Sequence, residues 1–205
     1  MEPKSAKRKR SHTRTKLVSA AAQVFAAKGV AGATVDDLVQ AAGFTRGAFY
    51  SNFSNKEEVF AAALSEFTED LVDAMQLGID ERGPSNSPND AIRAILSSIR
   101  PLGRVWVLLE AEGVRQALIN EDVRRVYLES RDYLQRALLD AMTQSGYAVT
   151  EKLAQYPQPL LRTLAELLLN AYSESIIREL LEGTDSTGRL VELLIQVLGI
   201  NDETA

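Results

Sequence analysis

The sequence has no cysteine and a single histidine, His12, among its 205 residues. That excludes thiolate nucleophiles, disulfides, Cys-rich zinc sites and a histidine-based triad built from the core of one chain. Long apolar runs are also missing. Stretches such as Val105-Trp106-Val107-Leu108-Leu109 fall far short of the roughly 20 residues a bilayer span requires. The basic N-terminus runs into Ser11, His12 and Thr13 without the apolar core and small-residue cleavage site of a signal peptide, so a cytoplasmic location and no membrane partner are expected. Neither β-branched alternation nor an Asn-Gly type hairpin turn occurs, which leaves an all-α chain. No pair of acids stands in a context that supports carboxylate catalysis or a metal. The acids read as solvated helix faces, and no catalytic residue, metal or cofactor is expected. A helical enzyme is the remote alternative.

The charge that is present is unevenly placed. Residues 1–60 hold ten Lys/Arg and five Asp/Glu, a net of about +5, whereas the remainder nets about −10, together giving the overall −5. Such a chain approaches a polyanion with its first part and is repelled through its second. The first ten residues carry five cations, Lys4, Lys7, Arg8, Lys9 and Arg10, and read as a mobile basic arm over 1–12 that either contacts phosphate or merely solubilises.

Helical periodicity then organises the chain. Leu17, Ala20, Ala21, Val24 and Phe25 mark a first helix over 13–28 that stops at Gly29 in a left-handed cap. Thr34 caps a short second helix with Asp36 and Asp37 in its first turn, and Gly43 ends it. Thr45 caps a third helix over 46–52, and Ser54-Asn55-Lys56-Glu57 opens a fourth with a capping-box pattern. The Gly83–Pro88 stretch is a loop. Helices are expected over about 89–99 and, after Pro101 and Gly103, over 104–118, then from Asn120 or Asp122 to a stop at Ser145-Gly146. The helix between Pro159 and Leu181 is apolar on far more than one stripe, so it needs two partners. Leu190, Leu193, Leu194, Val197 and Leu198 supply a matching helix after the 183–188 turn, and pairing of two copies through helices at about 157–181 and 188–199 would bury both. A central helix of a monomeric bundle is the other reading. The expected architecture has about nine helices: a three-helix helix-turn-helix domain at 13–60, then a helical ligand-binding and dimerisation domain at 61–205.

The stretch from Thr34 to Phe60 carries the function. Two short helices joined by Gly43-Phe44-Thr45 have the form of a helix-turn-helix, whose second helix lies in the major groove while the first crosses the backbone. Leu38, Ala42 and Phe49 can face inward, leaving Thr45, Arg46, Ala48 and Asn52 towards double-stranded DNA. Arg46 suits a guanine edge or a phosphate equally. Gly47 lets backbone approach the duplex or tolerates close helix packing. Thr34 and Thr45 are caps whose hydroxyls can also meet phosphate. Phe53 and Phe49 read as core.

The run Thr34-Val35-Asp36-Asp37-Leu38-Val39-Gln40-Ala41-Ala42-Gly43-Phe44-Thr45-Arg46-Gly47-Ala48-Phe49-Tyr50-Ser51-Asn52-Phe53-Ser54-Asn55-Lys56-Glu57-Glu58-Val59-Phe60 resembles the DNA-binding signature of the TetR family of bacterial repressors. The resemblance is dense over the first third of the chain and architectural beyond it. Many relatives have Ile-Ala where this chain has Leu38-Val39, and residues after position 45 vary, so the operator sequence is not carried over. By resemblance, Tyr50 and Lys56 match the family's phosphate-contacting tyrosine and lysine. The resemblance also implies a homodimer and a pocket within 89–181 for a small-molecule effector that alters the spacing of the DNA-binding heads. Trp106, the only tryptophan, is the first candidate for its lining, with Glu110 one turn on and Tyr133 further along; an ordinary core tryptophan and an exposed glutamate are the plainer readings. A dimeric DNA-binding regulator with no small-molecule effector is the alternative function.

Overall fold

The computed structural model describes residues 4–82, 88–144 and 156–197. Every regular element among them is helical: α1 Lys4–Gly32, α2 Val35–Ala42, α3 Arg46–Tyr50, α4 Lys56–Arg82, α5 Pro88–Ile99, a 3-10 turn Arg100–Leu102, α6 Gly103–Ala117, α7 Glu121–Gln144, α8 Gln158–Glu182 and α9 Ser186–Val197. Of the anticipated loop at Gly83–Pro88 only Pro88 is described, and it opens α5; the stop at Ser145-Gly146, Leu198 and the side chains of Leu194 and Val197 also lie outside the described residues.

The local chemistry of the ends explains most boundaries. Gly43 takes the left-handed conformation (φ 72°, ψ 34°) and its N–H returns to Gln40 and Val39, so α2 closes where only glycine fits without strain. Asn55 Oδ1 accepts from Glu58 N–H at 2.8 Å while Glu58 reaches back to the Ser54 N–H at 2.7 Å, setting the start of α4 one residue beyond the expected Ser54 cap. Asn120 Oδ1 accepts from the N–H groups of Asp122 and Val123 and so opens α7. Three further features differ from expectation, the first being that α3 ends at Tyr50 and not at 52. The basic stretch at the N-terminus is helical from Lys4, in keeping with the high helix propensity of its Lys, Arg and Ala. Gly29 has φ 65° but ψ 170°, so it breaks α1 rather than ending it, and one further turn follows.

The chain divides into two compact units, residues 1–69 with 108–130 and residues 70–107 with 131–205. In the first, Leu17, Phe25, Leu38, Phe49, Phe60 and Leu64 are buried to within about one per cent of complete enclosure. Phe25 meets Phe60 edge to face at 5.5 Å, locking α1 to α4. In the second, Leu139 of α7 packs with Leu161 and Ala165 of α8. Arg100 bridges Glu179 and Asp185 at 3.2 and 3.4 Å, and Glu179 also accepts from Thr187 N–H, which fixes the turn between α8 and α9.

Candidate nucleic-acid interface

Helix α3 has five residues, too few to hold itself together, so its placement depends on its neighbours. Phe49 is fully buried and touches Phe53 (6.0 Å) and the edge of Tyr50 (5.2 Å). Fixing Phe49 inward turns the opposite face of α3 out. Thr45, Arg46, Gly47 and Tyr50 are exposed there, with Tyr50 at 60% the most exposed aromatic of the described residues.

Thr45 Oγ1 accepts from Ala48 N–H at 3.3 Å and caps α3. Arg46 Nε meets Asp36 of α2 at 2.8 Å, both side chains remaining mostly exposed, which leaves the two terminal guanidinium nitrogens available. A Cβ added to Gly47 would approach only Thr45 Oγ1, at an ordinary 3.8 Å. Close packing within the fold therefore does not require glycine at 47. Ala48 is half-buried, and its carbonyl accepts from Asn52 Nδ2 at 2.8 Å. Asn52 is itself half-buried, and its Oδ1 has no hydrogen-bond partner among the described residues. This amide is occupied with the end of α3 rather than extended from it.

Thr34 and Asp37 form a reciprocal cap on α2. The Asp37 N–H donates to Thr34 Oγ1 (3.1 Å), and Asp37 Oδ2 accepts from both the N–H and the hydroxyl of Thr34 at 2.9 Å. Lys28 of α1 adds a 2.6 Å ion pair to Asp37 Oδ1. Lys28 first, and then the Thr34 N–H and hydroxyl, hold the Asp37 carboxyl down at about 2 against an ordinary 3.8. Lys56, at the start of α4, is half-buried and donates to the carbonyls of Val30 (2.8 Å) and Ala33 (2.6 Å). It caps the last turn of α1 and retains one ammonium N–H beyond these two.

Residues 17–63 match the model described as "Bacterial regulatory proteins, tetR family". That segment is a TetR-family DNA-binding segment. Among full-length relatives, the HTH-type transcriptional regulator TtgR of Pseudomonas putida is 28% identical over 192 residues, covering 90% of this chain and 87% of TtgR. The fold recurs in the fatty acid degradation regulator FadR of Bacillus halodurans (TM-score 0.67, 20% identity, 94% of this chain and 96% of that one). It also recurs in the multidrug binding protein EbrR, solved with imidazole (TM-score 0.60, 18% identity, 90% and 93%). The chain thus carries the helix-turn-helix of TetR-family transcriptional regulators, and no helix among its described residues is long and apolar enough to cross a membrane.

The residues singled out for the effector differ in their surroundings. Trp106 is buried, and its Nε1–H donates to Ser173 Oγ at 3.0 Å, so the ring is a satisfied part of the α6–α8 packing. Glu110 is half-buried, and Tyr133 is 40% exposed on α7. A cavity of about 750 Å³ opens elsewhere, at the α6–α7 turn, lined by Ile119, Asn120, Arg124 and Leu128 among others and by none of the three. Tyr172 of α8 lies outside that set. Its ring is buried, its hydroxyl has no hydrogen-bond partner among the described residues, and burial foremost, then the charge of Glu179, pushes its pKa up. The pattern of α8 marks Tyr172 as a buried position but says nothing about whether its hydroxyl finds a partner.

The depressed Asp37 carboxyl generates a pH prediction. A lowered folded-state pKa adds stability that is complete above about pH 4 and lost as pH falls through about 2. Asp37→Asn should lower the melting temperature at neutral pH and flatten its dependence on acid in that window. A mutant that melts in parallel with the parent between about pH 4 and 2 would show that Asp37 contributes nothing there.

Proposed function

We propose that the chain is a cytoplasmic, homodimeric repressor that leaves its DNA operator when a small-molecule effector binds. Residues 13–60, behind a basic segment at 1–12, read DNA; residues 61–205 bind effector and dimerise. The observation that carries the DNA reading is the split of α3, with Phe49 wholly buried and Thr45, Arg46, Gly47 and Tyr50 exposed on the other side. The positive first 60 residues and the acidic remainder favour docking by that end.

Within this reading Tyr50 and Lys56 position the protein through phosphates, Thr34 and Thr45 add helix-start hydroxyls, and Arg46 reads a base edge through the nitrogens that Asp36 leaves open. Gly47 and Ala48 keep the face low enough for close approach. Asn52 serves mainly by fixing the end of α3.

Two copies pairing is supported by α8. One side of it is buried within its own unit, yet Leu160, Leu167, Leu180 and Leu181 stay 44–80% exposed, as does Leu193 of α9 at 55%. A row of leucines of this kind is the usual mark of a subunit interface. An effector acts by linkage: binding only the head spacing unsuited to two half-sites lowers operator affinity by its differential affinity for the two states. Tyr172 supports such a site, because a buried hydroxyl without a partner among the described residues suits a ligand atom. It is better suited than Tyr133, while Trp106 and Glu110 can still line the same helix. The Trp106–Ser173 bond favours a second reading, a filled core and a regulator with no small-molecule effector.

Selection of bound sequences from random duplex DNA tests the function, followed by titration of variants on the selected site. Tyr50→Phe and Lys56→Ala should weaken binding to all sequences alike, whereas Arg46→Ala should lose about 1–3 kcal/mol of preference at one base pair. Absence of any selected sequence refutes the DNA reading. Light scattering should give a dimer at micromolar concentration for the parent and a monomer for Leu167→Glu/Leu181→Glu; a monomeric parent removes the dimer. Tyr172→Phe should keep or raise the melting temperature, since it removes an unsatisfied buried hydroxyl, yet weaken any compound found to quench Trp106 fluorescence and release the operator. Unchanged affinity for that compound would place its site elsewhere.

A further inference from the structure

Helix α6 lies far along the sequence from the DNA-reading segment, yet one of its side chains is bonded into it. Gly29 breaks the α1 ladder with its positive φ, so the next N–H, that of Val30, needs a partner from elsewhere. Glu112 Oε1 of α6 accepts it at 2.9 Å, across 82 positions of sequence. The approach is close: a Cβ on Gly29 would stand 3.3 Å from Glu112 Oε2. Glu112 is only 11% exposed and is held by Arg115, through bonds of 2.9 and 2.6 Å, and by Gln116 at 2.9 Å. Burial alone would raise its pKa; the bonds from Arg115, Gln116 and Val30 outweigh that and keep the carboxylate ionised. On the other side of the same residue, the Val30 carbonyl accepts from Lys56, which also holds Ala33.

We propose that Glu112 is a positioning residue for DNA binding: by holding the Val30 N–H it fixes the turn whose carbonyls seat Lys56, and so places the remaining ammonium N–H for phosphate. This rests on the reading of Lys56 as a phosphate contact. Glu112 itself touches no DNA. The turn at 29–33 is gripped by a carboxylate at its N–H and by an ammonium at its carbonyls, and release of either grip loosens the other. Base preference belongs to α3 and is untouched by this arrangement.

The test titrates the full-length protein on its selected duplex and on a duplex of unrelated sequence, at several salt concentrations. Glu112→Ala should weaken both by on the order of threefold to tenfold, without altering base preference. Like Lys56→Ala, it should reduce the salt slope by about one. The double variant should bind no more than about twofold more weakly than Lys56→Ala alone, because both act through one contact. Glu112→Gln keeps an acceptor for Val30 and should recover most of the affinity. Arg115→Ala, at an exposed position, frees the carboxylate without leaving Val30 unpaired; it should show a smaller loss in the same direction, and it carries the test if Glu112→Ala proves unfolded by circular dichroism. Parent-like binding by both the Glu112 and the Arg115 variants, or losses that multiply in the double variant, overturns the proposal while leaving Lys56 a phosphate contact. A Lys56→Ala variant with unchanged affinity and slope overturns the Lys56 reading and this proposal with it.

Discussion

A helix of five residues has no independent existence in water, and the placement of α3 therefore hangs on the enclosure of one ring. Phe49 is removed from solvent completely, beside Phe53. Burial of a ring of that size is worth roughly 1.5–3 kcal/mol, more than the capping of so short a helix supplies. Once that ring is inside, the helical repeat dictates which neighbours are outside. Exposure of Thr45, Arg46, Gly47 and Tyr50 follows from the same event that creates the core.

Polar groups then refine what the apolar core has placed. Thr34 and Asp37 satisfy one another's helix-start requirements, and Lys28 ties that pair back to α1. Asp36 steadies Arg46 by one edge of its guanidinium. Exposed pairs of this kind contribute little to stability, about 0–1 kcal/mol, so orientation of the side chains is their main physical effect.

Local chemistry was legible in the sequence wherever cause and effect lie within a few residues. The caps at Thr34 and Thr45, the left-handed Gly43 and the all-helical fold follow from residue type and spacing, and the helix-turn-helix follows from their order. Less visible were features decided by distant partners. Trp106 reads equally as pocket lining and as core; only the fold brings Ser173 to its N–H. Gly29 reads as a helix stop, yet ψ 170° turns it into a break that a carboxylate from α6 completes, and no periodicity in α1 announces Glu112.

That break has a consequence for how such a sequence can drift. A side chain at 29 would meet both an unfavourable positive φ and a carboxylate at 3.3 Å. Loss of the acid at 112 would strand an amide inside the protein, and loss of the lysine at 56 would leave two carbonyls at the end of α1 without that donor. The three positions are constrained through one shared turn. Lineages of this regulator that keep glycine at 29 should therefore keep an acceptor at 112 and a long donor at 56.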